Sequence, residues 1–443
     1  MTASPRTTFG HGRRRNARHL AMALTLAALP VFLQAGAPQH RGTLDPAFGT
    51  DGRVITDVSG YHDIARAVAV TARGQIVVAG YAYRPESFDF DVALTCYDRY
   101  GSLDTSFGSG GRVVTDLGAA EFAAAVAVTP DGHIVVGGAI SRMGANDFLL
   151  LRYDFSGRLD PGFGANGVVV ADLFGPDEAM LDMALTASGA IVVAGTADDS
   201  HLGRETDFGI ARFTSSGSID TSFGLAGRTR VDLGGAERAA ALSVKPNGEA
   251  MIAGNRLSPS GTEDFALARF TRDGRLDATF GVDGRVVSDV GPYDFVTDMT
   301  LTVDGSIVLV APLPRGAAGY DFLVLRYDRS GKLDPTFGDA GHVTTDLGYR
   351  DAPFAVQASA NGTIVVAGST GPTEPMLDDF ALAQYDRHGR LENSFGTGGL
   401  VITDFGGAEG AWAVALLPGG GVVAVGTAGY ERQAVDFALA AYR

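Results

Sequence analysis

Seven acids occupy one position of a sevenfold repeat: Asp63, Glu121, Glu178, Glu237, Asp294, Asp351 and Glu409. Each falls in the connection that leaves the fourth apolar run of one unit for the first run of the next. In a closed ring of such units these connections meet beside the innermost strands, on the face where loops surround a channel. Seven carboxylates there could bind a cation such as calcium or attract a cationic ligand. Together with His62, some of them could support metal-assisted hydrolysis or elimination in the channel. The bland reading, and the expected one, is that each carboxylate caps its own loop or pairs with a neighbour, because unpaired like charges in a ring are costly.

Departures from the repeat are where a single ligand would be recognised. Three positions beyond the acids the residue varies as Arg66, Ala124, Leu181, Ala240, Thr297, Phe354 and Trp412, and Trp412 is the one tryptophan of the chain. Trp412, Phe354, Tyr349, Tyr293 and Tyr61 could form an aromatic rim that stacks on sugar rings or grips an aromatic side chain. Arg66, Arg350 and Arg238 could anchor an anion. The alternative is that two or three of the aromatics merely plug the channel.

Three further registers of acids recur in every unit. One lies in a hexapeptide (Asp45, Asp104, Asp160, Asp220, Asp277, Asp334, Glu392), one opens the third strand (Asp91, Asp147, Asp207, Asp264, Asp321, Asp379, Asp436), and one closes the fourth (Asp57, Asp116, Asp172, Asp232, Asp289, Asp346, Asp404). Residues placed by symmetry at strand ends and turns are expected to accept backbone N–H bonds rather than to catalyse. The third-strand arginines Arg152, Arg212, Arg269 and Arg326 are expected to pair with a fourth-strand carboxylate of their own unit. There is no His-Glu-x-x-His, no Gly-x-Ser-x-Gly and no pair of cysteines, so no catalytic constellation is visible.

The elements that position these residues follow from the hexapeptide Leu44-Asp45-Pro46-Ala47-Phe48-Gly49. It recurs at Leu103, Leu159, Ile219, Leu276, Leu333 and Leu391, with its Phe spaced 59, 56, 60, 57, 57 and 58 residues apart. Four short apolar runs per period suit a propeller blade. Gly74, Gly132, Gly189, Gly248, Gly305, Gly362 and Gly420 sit between the first two runs, where a hairpin turn needs positive φ. The second run is apolar at consecutive positions, as in Ile76-Val77-Val78-Ala79, so both of its faces should be buried. The repeats open with a lone fourth strand at residues 52–57 and finish with a third strand at 436–442, and the two fragments add to one blade. The expected fold is all-β: a single seven-bladed β-propeller over residues 44–443, with four-stranded antiparallel blades, closed by the N-terminal strand joining the last three C-terminal strands.

With the hexapeptide, the Ile-Val-Val-Ala-Gly run and the Asp-Phe-Ala-Leu-Ala-Arg-Tyr strand in place, the chain resembles the delta-60 repeat family of bacterial exported proteins over residues 42–443. Its strand order is similar to that of the NHL-repeat propellers. The resemblance implies a β-propeller and export, and brings no catalytic motif with it.

Residues 1–37 read as a signal peptide, with five arginines and no acid before an apolar run at 20–33, and residues 38–43 read as a short linker. Secretion or a periplasmic location is therefore expected, with no membrane span after leader removal. The formal net charge is −16, or −21 without the leader arginines, which disfavours nucleic acid as a partner. Cys96 is the one cysteine, so no internal disulfide holds the fold. The expected protein is a monomeric, non-catalytic binding module or scaffold that holds a protein or glycan on its loop-rich face and needs no cofactor, calcium aside. The competing expectations are the metal-assisted hydrolase or lyase and a structural component of the cell envelope.

Overall fold

Among the described residues, short β-branched runs separated by glycine turns build twenty-eight strands, arranged as seven antiparallel sheets of four. The computed structural model describes residues 42–142, 145–175, 178–197, 206–291, 294–316, 319–372, 378–429 and 434–443. They belong to the second of two units, Met1–Gln39 and His40–Arg443. The expected leader and Tyr293 lie outside the described residues. Among the described residues no helix is long and apolar enough to cross a membrane.

Blade two shows the plan, with strand a at Ala120–Val128, b at Ile134–Arg142, c at Ala145–Tyr153 and d at Val168–Ala171. Blades one to six span residues 63–115, 120–171, 179–231, 236–288, 298–345 and 350–403. Blade seven takes strands a to c from Ala408–Leu416, Val422–Gly429 and Val435–Tyr442 and strand d from Arg53–Thr56. Arg53 to Thr56 pair antiparallel with Ala440 to Phe437, and Gly42 N–H donates to Arg443 O at 2.6 Å. The ring therefore closes as expected, by strand exchange between the two ends of the unit. The turn glycines between a and b all take positive φ, from 79° at Gly189 to 105° at Gly419.

The core is divided among the seven interfaces between blades. In strand b of blade one, Val77 and Ala79 pack toward blade two while Ile76 and Val78 pack toward blade seven, so both faces are buried. The hexapeptide supplies the bolt. Its Phe is at most 1% exposed in all seven copies, and in six of them its Gly N–H crosses to a carbonyl in the c–d turn of the next blade, as from Gly281 to Ser330 at 3.0 Å. Buried tyrosines that close strand c add a second cross-blade bond, Tyr153 to Thr115 at 2.7 Å and Tyr385 to Thr345 at 2.7 Å.

One expectation is corrected here. The third-strand arginines do not pair with the fourth-strand acids but with the hexapeptide acids eight residues on: Arg212 Nε reaches Asp220 at 2.8 Å and Arg269 Nε reaches Asp277 at 2.9 Å. The reason is direction. A bridge between Phe213 and Ile219 folds the hexapeptide back along the end of strand c, whereas strand d runs the other way and carries its closing acid to the opposite end of the blade. The same guanidinium stacks on the hexapeptide Phe, 4.7 Å from the Phe280 centroid for Arg269, and donates to Arg329 O of the next blade at 2.6 Å.

Phe280→Ala is expected to destabilise the ring by about 3–5 kcal/mol through the cavity it leaves between blades four and five. Arg269→Ala is expected to cost less, about 1–3 kcal/mol, since its pair is partly wet. Urea unfolding followed by far-UV circular dichroism checks both values and their order.

Candidate functional site in the central channel

Strand a of each blade pairs with b on one side and leaves its other edge to the channel. In six blades the a–b register slips by one residue, between Ala65 and Ala67, Ala123 and Ala125, Met180 and Asp182, Ala239 and Ala241, Pro353 and Ala355, and Ala411 and Ala413. The residues left out of the ladder are Arg66, Ala124, Leu181, Ala240, Phe354 and Trp412. In blade five Thr297 holds the same place just before strand a and gives its N–H to Val310 O at 2.9 Å. A bulge re-aims the extra side chain. All seven of these residues line one cavity of about 1010 Å³ that strand a of every blade helps to enclose. The glycine ending the Ile-Val-Val-Ala-Gly run follows from this bulge. A Cβ on Gly80, Gly138, Gly254, Gly368 or Gly426 would overlap the carbonyl oxygen just before the bulge, that of Arg238 in the case of Gly254.

The cavity wall is uneven. Phe354 and Trp412 stack with ring centroids 4.2 Å apart and planes 34° apart, and the Arg66 guanidinium lies 4.9 Å from the Trp412 ring. Trp412 Nε1–H donates to Thr427 Oγ1 at 3.2 Å, which fixes the indole. Arg238 and the exposed Phe295 also line the cavity. Two other aromatics of the expected rim lie elsewhere. Tyr61 and Tyr349 are exposed and outside the lining, Tyr61 resting edge-on against Tyr83 with centroids 6.4 Å apart. Arg350 is engaged by Asp378 at 3.3 Å. His62 stands exposed on its loop, and its Nδ1 accepts Val435 N–H at 3.4 Å.

Two acids in the wall escaped the sequence reading. At the position after the bulge, five blades carry alanine (Ala67, Ala125, Ala241, Ala355, Ala413), and blades three and five carry Asp182 and Asp298. That break in an otherwise uniform alanine register is the signal that could have found them. Asp182 Oδ2 accepts Leu242 N–H at 2.8 Å and Asp298 Oδ2 accepts Val356 N–H at 2.7 Å, so each ties its strand a to the next blade's. Both side chains are half-buried in the cavity wall. Burial pushes Asp182 up to about 6 and Asp298, which also feels Asp182, up to about 7.

The seven recurring acids are not in this wall. Each is at most 4% exposed at the junction between two blades. Each accepts N–H groups of its own loop: Val58 at 2.6 Å and Ser59 at 3.1 Å for Asp63, Leu117 and Ala119 for Glu121, Leu173, Phe174 and Gly175 for Glu178, Gly235 for Glu237, Val290 for Asp294, Leu347 for Asp351, and Gly407 for Glu409. These are loop caps. Burial nevertheless raises them, Glu121 and Glu178 to about 7 and Asp294 to about 6, against the pull of those donors. The acids that open strand c and follow strand d converge on the caps. Among the described residues, in five junctions one oxygen from each of three carboxylates lies within 4.8 Å of the others, as in Asp379, Asp404 and Glu409.

Three stretches, 129–163, 186–223 and 245–280, match the family model described as "Domain of unknown function (DUF5122) beta-propeller". Comparison with curated proteins returns no match. Among solved structures the chain is similar to a protein of unknown function from Dyadobacter fermentans DSM 18053, with 11% identity, 88% of this chain and 98% of that chain covered, and a TM-score of 0.46. It is similar to a catalytically inactive virginiamycin B lyase from Staphylococcus aureus with quinupristin, with 11% identity, 88% and 98% coverage and a TM-score of 0.45. An ulvan lyase, a polysaccharide lyase, matches with 11% identity, 86% and 95% coverage and a TM-score of 0.47.

The raised Asp298 has a signed consequence. Between its ordinary value of 3.8 and about 7 the folded chain holds this proton more tightly than the unfolded chain, so stability falls as pH rises through that window and the deficit persists above it. Asp298→Asn keeps the acceptor for Val356 and removes the charge. Calorimetry is expected to show a higher Tm than wild type at about pH 8 and no difference at about pH 4.

Proposed function

We propose that this repeat-built β-propeller is an exported, monomeric and non-catalytic binding module that takes a protein or glycan ligand at its central cavity. The observation that carries the reading is the gathering of all seven residues of the bulge register, which differ in size, charge and aromaticity, into one cavity enclosed by a repeating scaffold. A sevenfold scaffold treats all directions alike; a ligand with no such symmetry needs a wall that does not. Arg66, Trp412 and Phe354 supply a cationic and aromatic arc on blades one, seven and six, suited to a sugar face or an aromatic side chain. Asp182 and Asp298 supply acceptors on blades three and five. Export is supported by the basic head and apolar run of residues 1–37.

A second reading has one observation in its favour. Asp298, held near neutral pH and facing the cavity, is poised as a general base or acid for hydrolysis or elimination. It predicts product release from a glycan substrate that Asp298→Asn abolishes.

Under the binding reading, Trp412→Ala is expected to weaken a ligand found on a glycan or peptide array by about tenfold or more, with Tm little changed. Unchanged affinity in the Trp412→Ala, Phe354→Ala double variant would sink it.

A further inference from the structure

We propose that the junction of blades six and seven holds a divalent cation, calcium by its chemistry, between Asp379, Asp404 and Glu409. Asp379 opens strand c of blade six, Asp404 follows its strand d (Leu400–Thr403), and Glu409 stands in strand a of blade seven. One oxygen from each lies within 4.8 Å of the others. Acidic crowding alone would be unremarkable in a chain of this charge. Here a second observation points inward: Glu409 is 96% buried, its Oε1 takes Gly407 N–H at 2.5 Å, and its Oε2 has no donor among the described residues. Asp378, next to Asp379, accepts Glu409 N–H on its backbone oxygen at 2.6 Å and leaves its own Oδ1 buried without a donor. A buried carboxylate oxygen facing other carboxylates is stable when a cation lies between them.

At three other junctions an arginine fills that role. Arg315 bridges Asp321 at 3.0 Å and Asp346 at 2.5 Å, Arg256 reaches Asp264 at 2.6 Å, and Arg84 approaches Asp91 at 3.5 Å. These arginines come from the end of strand b or the connection that leads into strand c. In blade six that connection reads Gly-Pro-Thr-Glu-Pro-Met-Leu-Asp-Asp over residues 371–379 and contains no lysine or arginine. Among the described residues no basic side chain bonds to the three carboxyl groups; Arg53 reaches the Asp404 backbone oxygen, at 2.7 Å, and Arg350 reaches Asp378. The donors are oxygen throughout, with no histidine or cysteine, which suits a hard cation and disfavours zinc.

The test is titration calorimetry of the whole chain, stripped with a chelator, against calcium chloride, with melts in calcium and in EDTA. Binding at or below the millimolar range of extracellular modules is expected, with a higher Tm in calcium. Asp404→Asn is the informative variant, because Asp404 is exposed and an asparagine oxygen can still cap Gly406. It is expected to weaken calcium at least about tenfold while melting like wild type in EDTA; Asp379→Asn carries the same comparison if the first variant does not fold. No heat and no shift in Tm at millimolar calcium, or calcium binding that survives both variants unchanged, would overturn the site. Neither result bears on the cavity ligand, which is read on Trp412.

Discussion

The fold depends on the way each hexapeptide phenylalanine is clamped into the next blade. Its ring lies under the glycine of the neighbouring c–d turn, so close that a Cβ on Gly331 would come within 2.8 Å of Phe280. The following glycine N–H bonds across the same gap, and the strand c arginine covers the ring from outside while bonding to the turn carbonyl. Apolar burial and a backbone hydrogen bond thus converge on a few residues around the ring, and in the four blades that carry Arg152, Arg212, Arg269 and Arg326 a charge-assisted bond joins them. Blades stacked in this way need no disulfide, and the buried free Cys96 acts as another small apolar group in the blade one and blade two core.

That clamp leaves the opposite, inner edges of the sheets free to vary. The bulge in strand a decouples the channel-facing residue from the ladder, so Arg66, Leu181 and Trp412 occupy equivalent places although they share neither size nor charge. Next to the bulge the room is small, and alanine fills it in five blades. Asp182 and Asp298 are tolerated because the adjoining strand a offers each an N–H. The channel is therefore a polar, asymmetric feature set inside a nearly symmetric apolar scaffold.

Much of the architecture was legible in the residues. The hexapeptide period, the turn glycines and the split last blade led to seven blades and to their closure, because each reports on local backbone geometry. The caps formed by Asp63 and its counterparts were legible for the same reason. The Arg152-type pairing was misjudged, since a linear reading cannot see that the hexapeptide folds back on strand c. The convergence of Asp379, Asp404 and Glu409 was hidden too: these acids are 25 and 5 residues apart in the sequence and meet because two different blades abut. Asp182 and Asp298 stood in plain view in an alanine register, but only the bulge reveals that this register faces the channel.

Strand exchange at the seventh blade also imposes an order in time. Within the propeller Arg53–Thr56 is made before every other strand, and its partner, Val435–Tyr442, after all of them. Until then the early strand has no sheet to join, and blade one has no neighbour on its blade-seven side to cover Ile76 and Val78. Six blades can assemble in sequence, each on the one before, but the final contact spans almost the whole length of the unit and must come last. The newborn chain thus passes through an open-ended arc with a sticky edge at either end, a stage at which it is most exposed to pairing with the wrong molecule.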